Sequence, residues 1–160
     1  PGQPSSLTPT GSGVGTRMEV ADLFFTTPAR LKFLKKPQTE LAHIQELVEW
    51  LALSHPEVQF TLQFDQKTVV DSPGTGELAH AVKAIFGEMD LLAVDRQEDT
   101  LSVAGLVSTP NIQKPSKRWM ALFVNSRSVR CPVITRAVES AYENLLPPKR
   151  YPVAVLHVSM

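Results

Sequence analysis

The order of the predicted elements after residue 57 indicates an α+β fold, a mixed β-sheet with helices packed on one of its faces. Two observations lead to this prediction. Runs of alternating apolar and polar residues, typical of half-buried strands, recur along residues 57–160, and two amphipathic segments interrupt them. The resulting order, ββ-α-ββ-β-α-β, is that of an α+β sheet, and no internal repeat is found.

The first 56 residues are predicted to contain a loop, a strand and two helices. Residues 1–15 are rich in Pro, Gly, Ser and Thr without periodicity, as in a flexible linker. Residues 16–25 are apolar and extended, which predicts a strand, and Thr27-Pro28 opens a short helix over residues 29–35. The clearest helix covers residues 39–54. Its apolar residues recur every three or four positions at Leu41, Ile44, Leu47, Val48 and Leu51.

The rest of the chain is predicted to alternate strands with two further helices. The predicted strands cover residues 58–64, 67–70, 91–96, 100–107, 118–125 and 151–158. One helix covers residues 77–86 and ends at Gly87, and the other begins at Pro132 and ends before Pro147-Pro148. The predicted inward face of this last helix consists of Ile134, Ala137, Val138, Ala141 and Leu145.

Composition excludes several classes of protein. Lys+Arg and Asp+Glu both number 16 in 160 residues, so the formal net charge is zero and any DNA binding must come from a local patch. Cys131 is the only cysteine, which excludes an internal disulfide and a cysteine-based zinc site. No apolar run reaches the roughly 20 residues of a membrane helix. The chain also lacks a basic n-region followed by an apolar h-region, so no signal peptide is expected. The start at Pro1, without Met, is expected of an excerpt from a longer chain.

A glycine-rich segment, Gly11-Ser-Gly13-Val-Gly15-Thr16, has two interpretations. It lacks the lysine of a P-loop and the preceding strand of a Rossmann fingerprint, so neither motif is present. One interpretation is a flexible linker. The other is a nucleotide lid, in which glycines let backbone N–H groups approach phosphates.

An ordered series of short motifs then resembles the MutL family of DNA mismatch repair proteins. Residues 23–34 read LFFTTPARLKFL, similar to the family's LFxNTPARxKFL, with Thr26 where Asn is usual and Phe25 in place of a common Tyr. Gly15-Thr16 and the positions from Val20 to Asp22 match the family pattern GTxVxVxDLF, and further matches follow in order along the chain. These read ALSHP at 52–56, FVNSRSV at 123–129, AY at 141–142 and RYP at 150–152.

The resemblance implies a domain organisation. MutL proteins are GHKL ATPases, in which an N-terminal domain binds ATP beneath a mobile lid and lid closure drives dimerisation. A second, transducer domain with a left-handed βαβ crossover transmits the nucleotide state. Residues 1–56 are then expected to be the lid and the C-terminal end of the ATPase domain, and residues 57–160 an incomplete transducer domain.

The same resemblance implies ATP and Mg²⁺ as cofactors of a full-length parent. Gly15 and Thr16 match the family position whose threonine contributes to the adenine pocket, although Thr16 can also simply open a strand. The family's catalytic Glu, its Mg²⁺-binding Asn and its adenine-reading Asp would precede residue 1, and its phosphate-contacting Lys would follow Met160. The chain alone is therefore expected to lack ATPase activity and to hold no cofactor.

DNA is the partner that the resemblance implies, bound through phosphates without sequence choice. The candidate contacts are Lys114, Lys117, Arg118, Arg127 and Arg130. The alternative is that Arg127 is merely a solvated turn residue after Asn125. The resemblance also implies a MutS-type mismatch sensor and downstream repair enzymes as partners, a homodimeric parent, no membrane, and a location in the cytoplasm at the nucleoid.

Three hypotheses therefore remain open for the function. The chain is a segment of a regulatory ATPase in mismatch repair, a non-catalytic module that binds DNA or partners and transmits the nucleotide state, or a structural α+β domain with inactive loops. The four histidines have no metal-ligand spacing with a carboxylate and are interpreted as structural or solvated. They are His43, His55, His80 and His157.

Overall fold

A computed structural model describes residue 11 and residues 13–160, and its contacts divide the chain into two units, Pro1–Glu40 and Leu41–Met160. In the described part of the first unit the main feature is a series of turns. The N–H of Phe25 donates to the carbonyl of Asp22 at 2.9 Å, and a one-turn helix, α1, covers Pro28–Leu31. The predicted short helix is present but ends four residues early.

The strand predicted over residues 16–25 is wrong. Residues 16–21 have no assigned regular structure, and residues 22–25 form turns with positive φ angles of 50° at Asp22 and 71° at Phe24. Apolar residues such as Met18 and Val20 are exposed. A strand requires a neighbouring strand to satisfy its N–H and C=O groups, and none of the described residues pairs with this segment.

The long helix, α2, covers Pro37–Ser54, two residues more than predicted at its start. The Glu40 carboxylate accepts a hydrogen bond from the N–H of Lys35 at 2.8 Å, which places negative charge near the positive end of the helix dipole. Its buried face differs from the prediction. Ala52 and Leu53 are fully buried, whereas Ile44, Leu47 and Leu51 are 47%, 61% and 39% exposed.

A separate two-stranded sheet follows α2. Strands β1 (Gln59–Phe64) and β2 (Lys67–Pro73) pair antiparallel, as the alternating sequence predicts. Asp65 and Gln66 have φ angles of 47° and 64°, the left-handed conformation at both central residues that a two-residue type I′ hairpin requires. The turn predicted at this dipeptide is confirmed.

A five-stranded mixed sheet forms the centre of the second unit, in the order β3-β4-β7-β5-β6. Its strands are β3 (Leu91–Glu98), β4 (Leu101–Ser108), β5 (Met120–Val124), β6 (Arg127–Ser128) and β7 (Ala154–Ser159). Only β5 and β7 are parallel, joined through the helix α4 (Pro132–Ala141) in a βαβ crossover. The predicted α+β class with a mixed sheet is confirmed, and the left-handed sense of the crossover stays a prediction.

Helices cover both faces of this sheet, which corrects the prediction of a single covered face. Ala121 and Phe123 of β5 pack with Leu53 of α2 and with the helix α3 (Leu78–Phe86). Met120 and Leu122, the alternate residues of the same strand, pack instead with Val138 of α4. Successive strand residues point to opposite faces, so a strand with four buried residues in a row must be covered on both sides.

The sequence predicted the end of α3 and the start of α4 correctly, but not which residues of α4 are buried. Helix α3 ends at Gly87, whose φ of 86° and N–H bond to the carbonyl of Lys83 confirm the predicted glycine cap. Helix α4 starts at Pro132 as predicted and buries only Val138. Of the remaining predicted inward residues Ile134 is half-buried, and Ala137, Ala141 and Leu145 are exposed.

Candidate nucleic-acid interface

A groove of about 860 Å³ lies between α2, the start of β5 and α4, entirely within the second unit. Its apolar lining includes the buried Met120 and Leu122 of β5 and the half-buried Trp50 and Val129. Charged side chains complete the lining. Lys117, Arg118, Arg130 and Arg136 are exposed, and Glu46 and Glu139 are half-buried. The groove therefore combines an apolar base with an excess of cations.

Local backbone geometry brings the cations to this groove. Lys117 and Arg118 belong to a 3-10 turn, Lys117–Trp119, that leads directly into β5. Beyond β5, Asn125 and Ser126 turn the chain sharply with φ angles of 47° and 62°. The N–H of Val129 then bonds to the carbonyl of Leu122 at 2.9 Å, so the next residue, Arg130, is held at the groove.

Two of the cations are paired with carboxylates. Lys117 donates from its Nζ to Glu139 on α4, and this hydrogen bond raises the pKa of Lys117 above its usual value of 10.5. Arg118 Nη2 lies 3.6 Å from Oε2 of Glu49 on α2. The Glu49 carboxylate also accepts a 2.7 Å hydrogen bond from Gln45 Nε2. These ion pairs join the 3-10 turn to both neighbouring helices.

The other two cations of the groove are unpaired. Within the described part of the chain, neither Arg130 nor Arg136 lies within 4.0 Å of a carboxylate oxygen. Both side chains are exposed. An unpaired guanidinium is available to an anionic ligand without first losing a protein partner, and its fork of N–H groups fits phosphate oxygens.

The structure thus brings together three of the five basic residues predicted from sequence. Lys117, Arg118 and Arg130 line the groove. Arg127 is exposed on β6 and does not line it, and Lys114 lies elsewhere, with its Nζ 3.8 Å from the ring centroid of Trp119. Lys114 lines a separate recess with Phe86, Glu88 and Asp90. A role in DNA binding stays a prediction for all five basic residues.

Arg136 is the groove residue that the sequence interpretation missed. It lies in α4, one turn beyond Pro132, and lines the groove beside Glu139. Its position on the exposed face of a predicted amphipathic helix was a signal available in the sequence. That signal is weak, because exposed helix faces generally carry charged residues.

The nucleotide residues predicted at the start of the chain lie in the first unit. Gly15 has a φ of 143°, and no described atom approaches within 4 Å of where its Cβ would be. Thr16 is exposed. Their place in an adenine pocket stays a prediction, and residues 1–10 and 12 of the predicted lid lie outside the described residues.

Three of the four histidines, His55, His80 and His157, contact polar or aromatic neighbours. His55 Nδ1 lies 3.2 Å from Glu57 Oε1, and His80 Nδ1 lies 2.9 Å from Thr75 Oγ1. His157 is stacked on Phe123. In the described part of the chain no three His, Cys, Asp or Glu residues form a group that could hold a metal ion, and none of the helices is long and apolar enough to cross a membrane.

Comparison with known proteins identifies the family. A family described as "DNA mismatch repair protein, C-terminal domain" matches residues 78–160. The DNA mismatch repair protein MutL of Desulforamulus reducens is 38% identical over 99% of this chain, and that of Symbiobacterium thermophilum is 46% identical over 94%. The chain belongs to the MutL family of DNA mismatch repair proteins. It spans about a quarter of the length of these relatives, 25% and 24% respectively.

Solved structures agree with this assignment. The Aquifex aeolicus MutL ATPase domain complexed with ADP has a TM-score of 0.69 and 25% identity, covering 88% of this chain and 51% of that chain. The N-terminal domain of a DNA repair protein has a TM-score of 0.70. Its 17% identity, over 88% of this chain and 48% of that chain, makes it evidence for the fold alone.

Proposed function

We propose that this chain is the segment of a MutL-type protein that binds DNA through its phosphates and transmits the nucleotide state of the ATPase domain. Residues 1–56 are the lid and the end of the ATPase domain, and residues 57–160 belong to the transducer domain. Membership of the mismatch repair family supports the biological setting. The cationic groove between α2 and α4 supports the DNA contact.

The single observation that carries the DNA proposal is the convergence of four cations, against two carboxylates, on one groove in a chain of zero net charge. A local cluster of this kind produces a positive potential that the overall composition conceals. Phosphate contacts of lysine and arginine give binding without sequence choice. The module is therefore a nonspecific DNA contact, as a protein that acts at any mismatch requires.

The full-length parent is proposed to bind ATP and Mg²⁺, with Gly15 and Thr16 at the adenine side. The Aquifex aeolicus relative is complexed with ADP, which supports nucleotide binding in the family. The parent works as a homodimer with a MutS-type sensor and downstream repair enzymes, in the cytoplasm at the nucleoid. The 160-residue chain by itself is a transmission module without ATP turnover.

The test is fluorescence anisotropy of the purified chain with labelled duplexes of unrelated sequence. Binding is expected to be independent of sequence and to weaken between about 50 mM and about 200 mM salt, with a log–log slope of about −2 to −3 for two or three phosphate contacts. The absence of salt-dependent binding would reject the DNA role and favour a structural domain. Robust ATP hydrolysis by the same chain would reject the non-catalytic assignment.

A further inference from the structure

The groove contains two kinds of cation, and we propose that Arg130 and Arg136 are the residues that contact a nucleic-acid phosphate. Lys117 and Arg118 instead hold the groove in shape through their carboxylate partners. This inference rests on the proposed DNA-binding function and assigns its contact residues. Arg136 thereby joins the DNA contacts predicted from the sequence, and Lys117 and Arg118 are no longer counted among the residues that contact DNA directly.

The pairing of charges separates the two kinds. Lys117 is bonded to Glu139, and Arg118 is close to Glu49, whose side chain is mostly buried. A phosphate that engaged either cation would have to compete with a carboxylate already in place. Arg130 and Arg136 have no such competitor within 4.0 Å among the described residues, so each can form a charge-assisted bond to phosphate without first losing a carboxylate partner.

The position of the two arginines favours a shared ligand. Both line the same groove, Arg130 in the segment before α4 and Arg136 in the second turn of that helix. The first N–H groups of a helix have no partner inside the helix, and its dipole adds positive potential at this end. An anion between the arginines would therefore lie close to the positive end of α4.

The size and lining of the groove favour a strand of nucleic acid over a small anion. A volume of about 860 Å³ is far larger than one phosphate group needs. The half-buried Trp50 and Val129 provide apolar surface beside the cations, which can contact a sugar or base edge while the arginines contact the phosphate. A sugar–phosphate segment satisfies both surfaces together.

One acidic side chain opposes this arrangement. Glu46 of α2 also lines the groove and has no cation within 4.0 Å in the described part of the chain. Its negative charge must weaken phosphate binding at the groove. Glu46→Gln is therefore expected to tighten DNA binding, whereas Arg130→Gln and Arg136→Gln are expected to weaken it.

The test measures duplex affinity and its salt dependence for four single variants of the whole chain. Arg130→Gln and Arg136→Gln are each expected to weaken binding about threefold to tenfold at low salt and to reduce the salt slope by about 1. Glu46→Gln is expected to tighten binding about twofold. Arg96→Gln is the matched control, since Arg96 is exposed on β3 and, among the described residues, hydrogen-bonds only to the carbonyl of Asp95. It should bind as wild type.

A second readout reports on the groove itself. In a Trp119→Phe variant, Trp50 is the only tryptophan, and it lines the groove. Its fluorescence is expected to change on titration with unlabelled duplex, and this change should disappear when Arg130→Gln and Arg136→Gln are added.

The possible outcomes separate the two proposals. A variant carrying both Arg130→Gln and Arg136→Gln decides the contact assignment. If wild type binds in a salt-dependent way and this double variant binds equally well, the contact assignment is overturned and the proposed function stands. No binding by wild type would overturn both. If the Trp119→Phe variant does not fold, anisotropy on the single arginine variants decides alone.

Discussion

The imidazole ring of His157 is stacked on the phenyl ring of Phe123, with ring centroids 4.7 Å apart and planes inclined by 20°. The two residues are register partners on the parallel strands β7 and β5. Phe123 is fully buried and also meets Trp50 of α2 edge-on, with ring centroids 6.0 Å apart. The stack therefore links the end of α2 to the central strands of the sheet.

Burial gives His157 a pH-dependent effect on stability. Desolvation lowers the pKa of His157 below its ordinary value of 6.5, against a smaller opposing effect of its hydrogen bond to the Leu53 backbone. The folded protein then binds this proton less tightly than the unfolded chain. Stability from this group is complete above about pH 6.5 and declines as the pH falls through the lowered folded pKa.

We expect the urea midpoint of the chain to fall between about pH 7.5 and about pH 5.5, and the fall to be smaller in His157→Phe. Phenylalanine keeps an aromatic ring on Phe123 but cannot take up a proton. His43→Gln is the control, because His43 is exposed on α2. An unchanged pH slope in His157→Phe would show that other groups cause the acid sensitivity.

Replacing Phe123 tests the core between the sheet and the helices α2 and α3. Phe123→Ala removes a fully buried ring that contacts both Trp50 and His157. The free energy of unfolding should fall by about 3 to 5 kcal/mol, the usual cost of emptying an aromatic core site. Chemical denaturation monitored by circular dichroism measures it.

Phe33→Ala is the matched control for Phe123→Ala, because Phe33 is 82% exposed in the first unit. It should change the free energy of unfolding by less than about 0.5 kcal/mol. Equal losses in the two variants would contradict the assigned core.

Gly105 tests how closely β4 approaches β7. It lies opposite Leu156 with a φ of 152°, and a Cβ there would lie 2.0 Å from the carbonyl oxygen of Val155. The obstacle is backbone within a strand ladder, so it cannot rotate away. Gly105→Ala should lower the free energy of unfolding by about 3 kcal/mol or prevent folding.

Gly76→Ala separates this clash from simple backbone strain. Gly76 also has a positive φ, 83°, but nothing lies within 4 Å of the position of its Cβ. The expected cost is about 1 kcal/mol, from left-handed strain alone. A thermal midpoint for Gly105→Ala equal to that of Gly76→Ala would show that the strands can separate at no extra cost.

Breaking the Lys117–Glu139 ion pair should increase the affinity of the chain for DNA. Glu139→Gln removes the negative charge that holds Lys117, which becomes free to attract phosphate. Duplex binding should tighten about twofold to threefold at low salt, and the gain should vanish at high salt because exposed charges are screened. Anisotropy titrations at two salt concentrations measure it.

Glu143→Gln is the control for Glu139→Gln, because it removes the same charge just beyond α4. Glu143 is exposed and forms no ion pair with any of the described residues. Weaker binding by a folded Glu139→Gln variant would mean that the pair positions Lys117 for DNA rather than sequestering it.

Local signals in the sequence predicted several elements well. The Asp65-Gln66 hairpin turn, the Gly87 cap of α3 and the start of α4 at Pro132 all appear as expected. Each depends on the backbone preference of one or two residues, which acts whatever the rest of the chain does. The family, too, follows from the order of short motifs along the chain.

Features that depend on partners distant in sequence were predicted less well. Periodicity correctly predicted that α2 is a helix. It did not predict that the buried residues would be Ala52 and Leu53, because the sheet packs against the C-terminal end of this helix, where Leu53 lies. The apolar residues at 16–25 favoured a strand, yet a strand exists only when another strand pairs with it.

The sequence by itself determined the family, the α+β class and the presence of a basic segment around residues 114–130. The three-dimensional structure decided which cations share a groove and which are neutralised. Glu49 and Glu139 lie 69 and 22 positions from their partners Arg118 and Lys117, by subtraction of residue numbers. Charges interact through space over a few ångströms, so only the folded arrangement reveals that Arg130 and Arg136 are left unpaired.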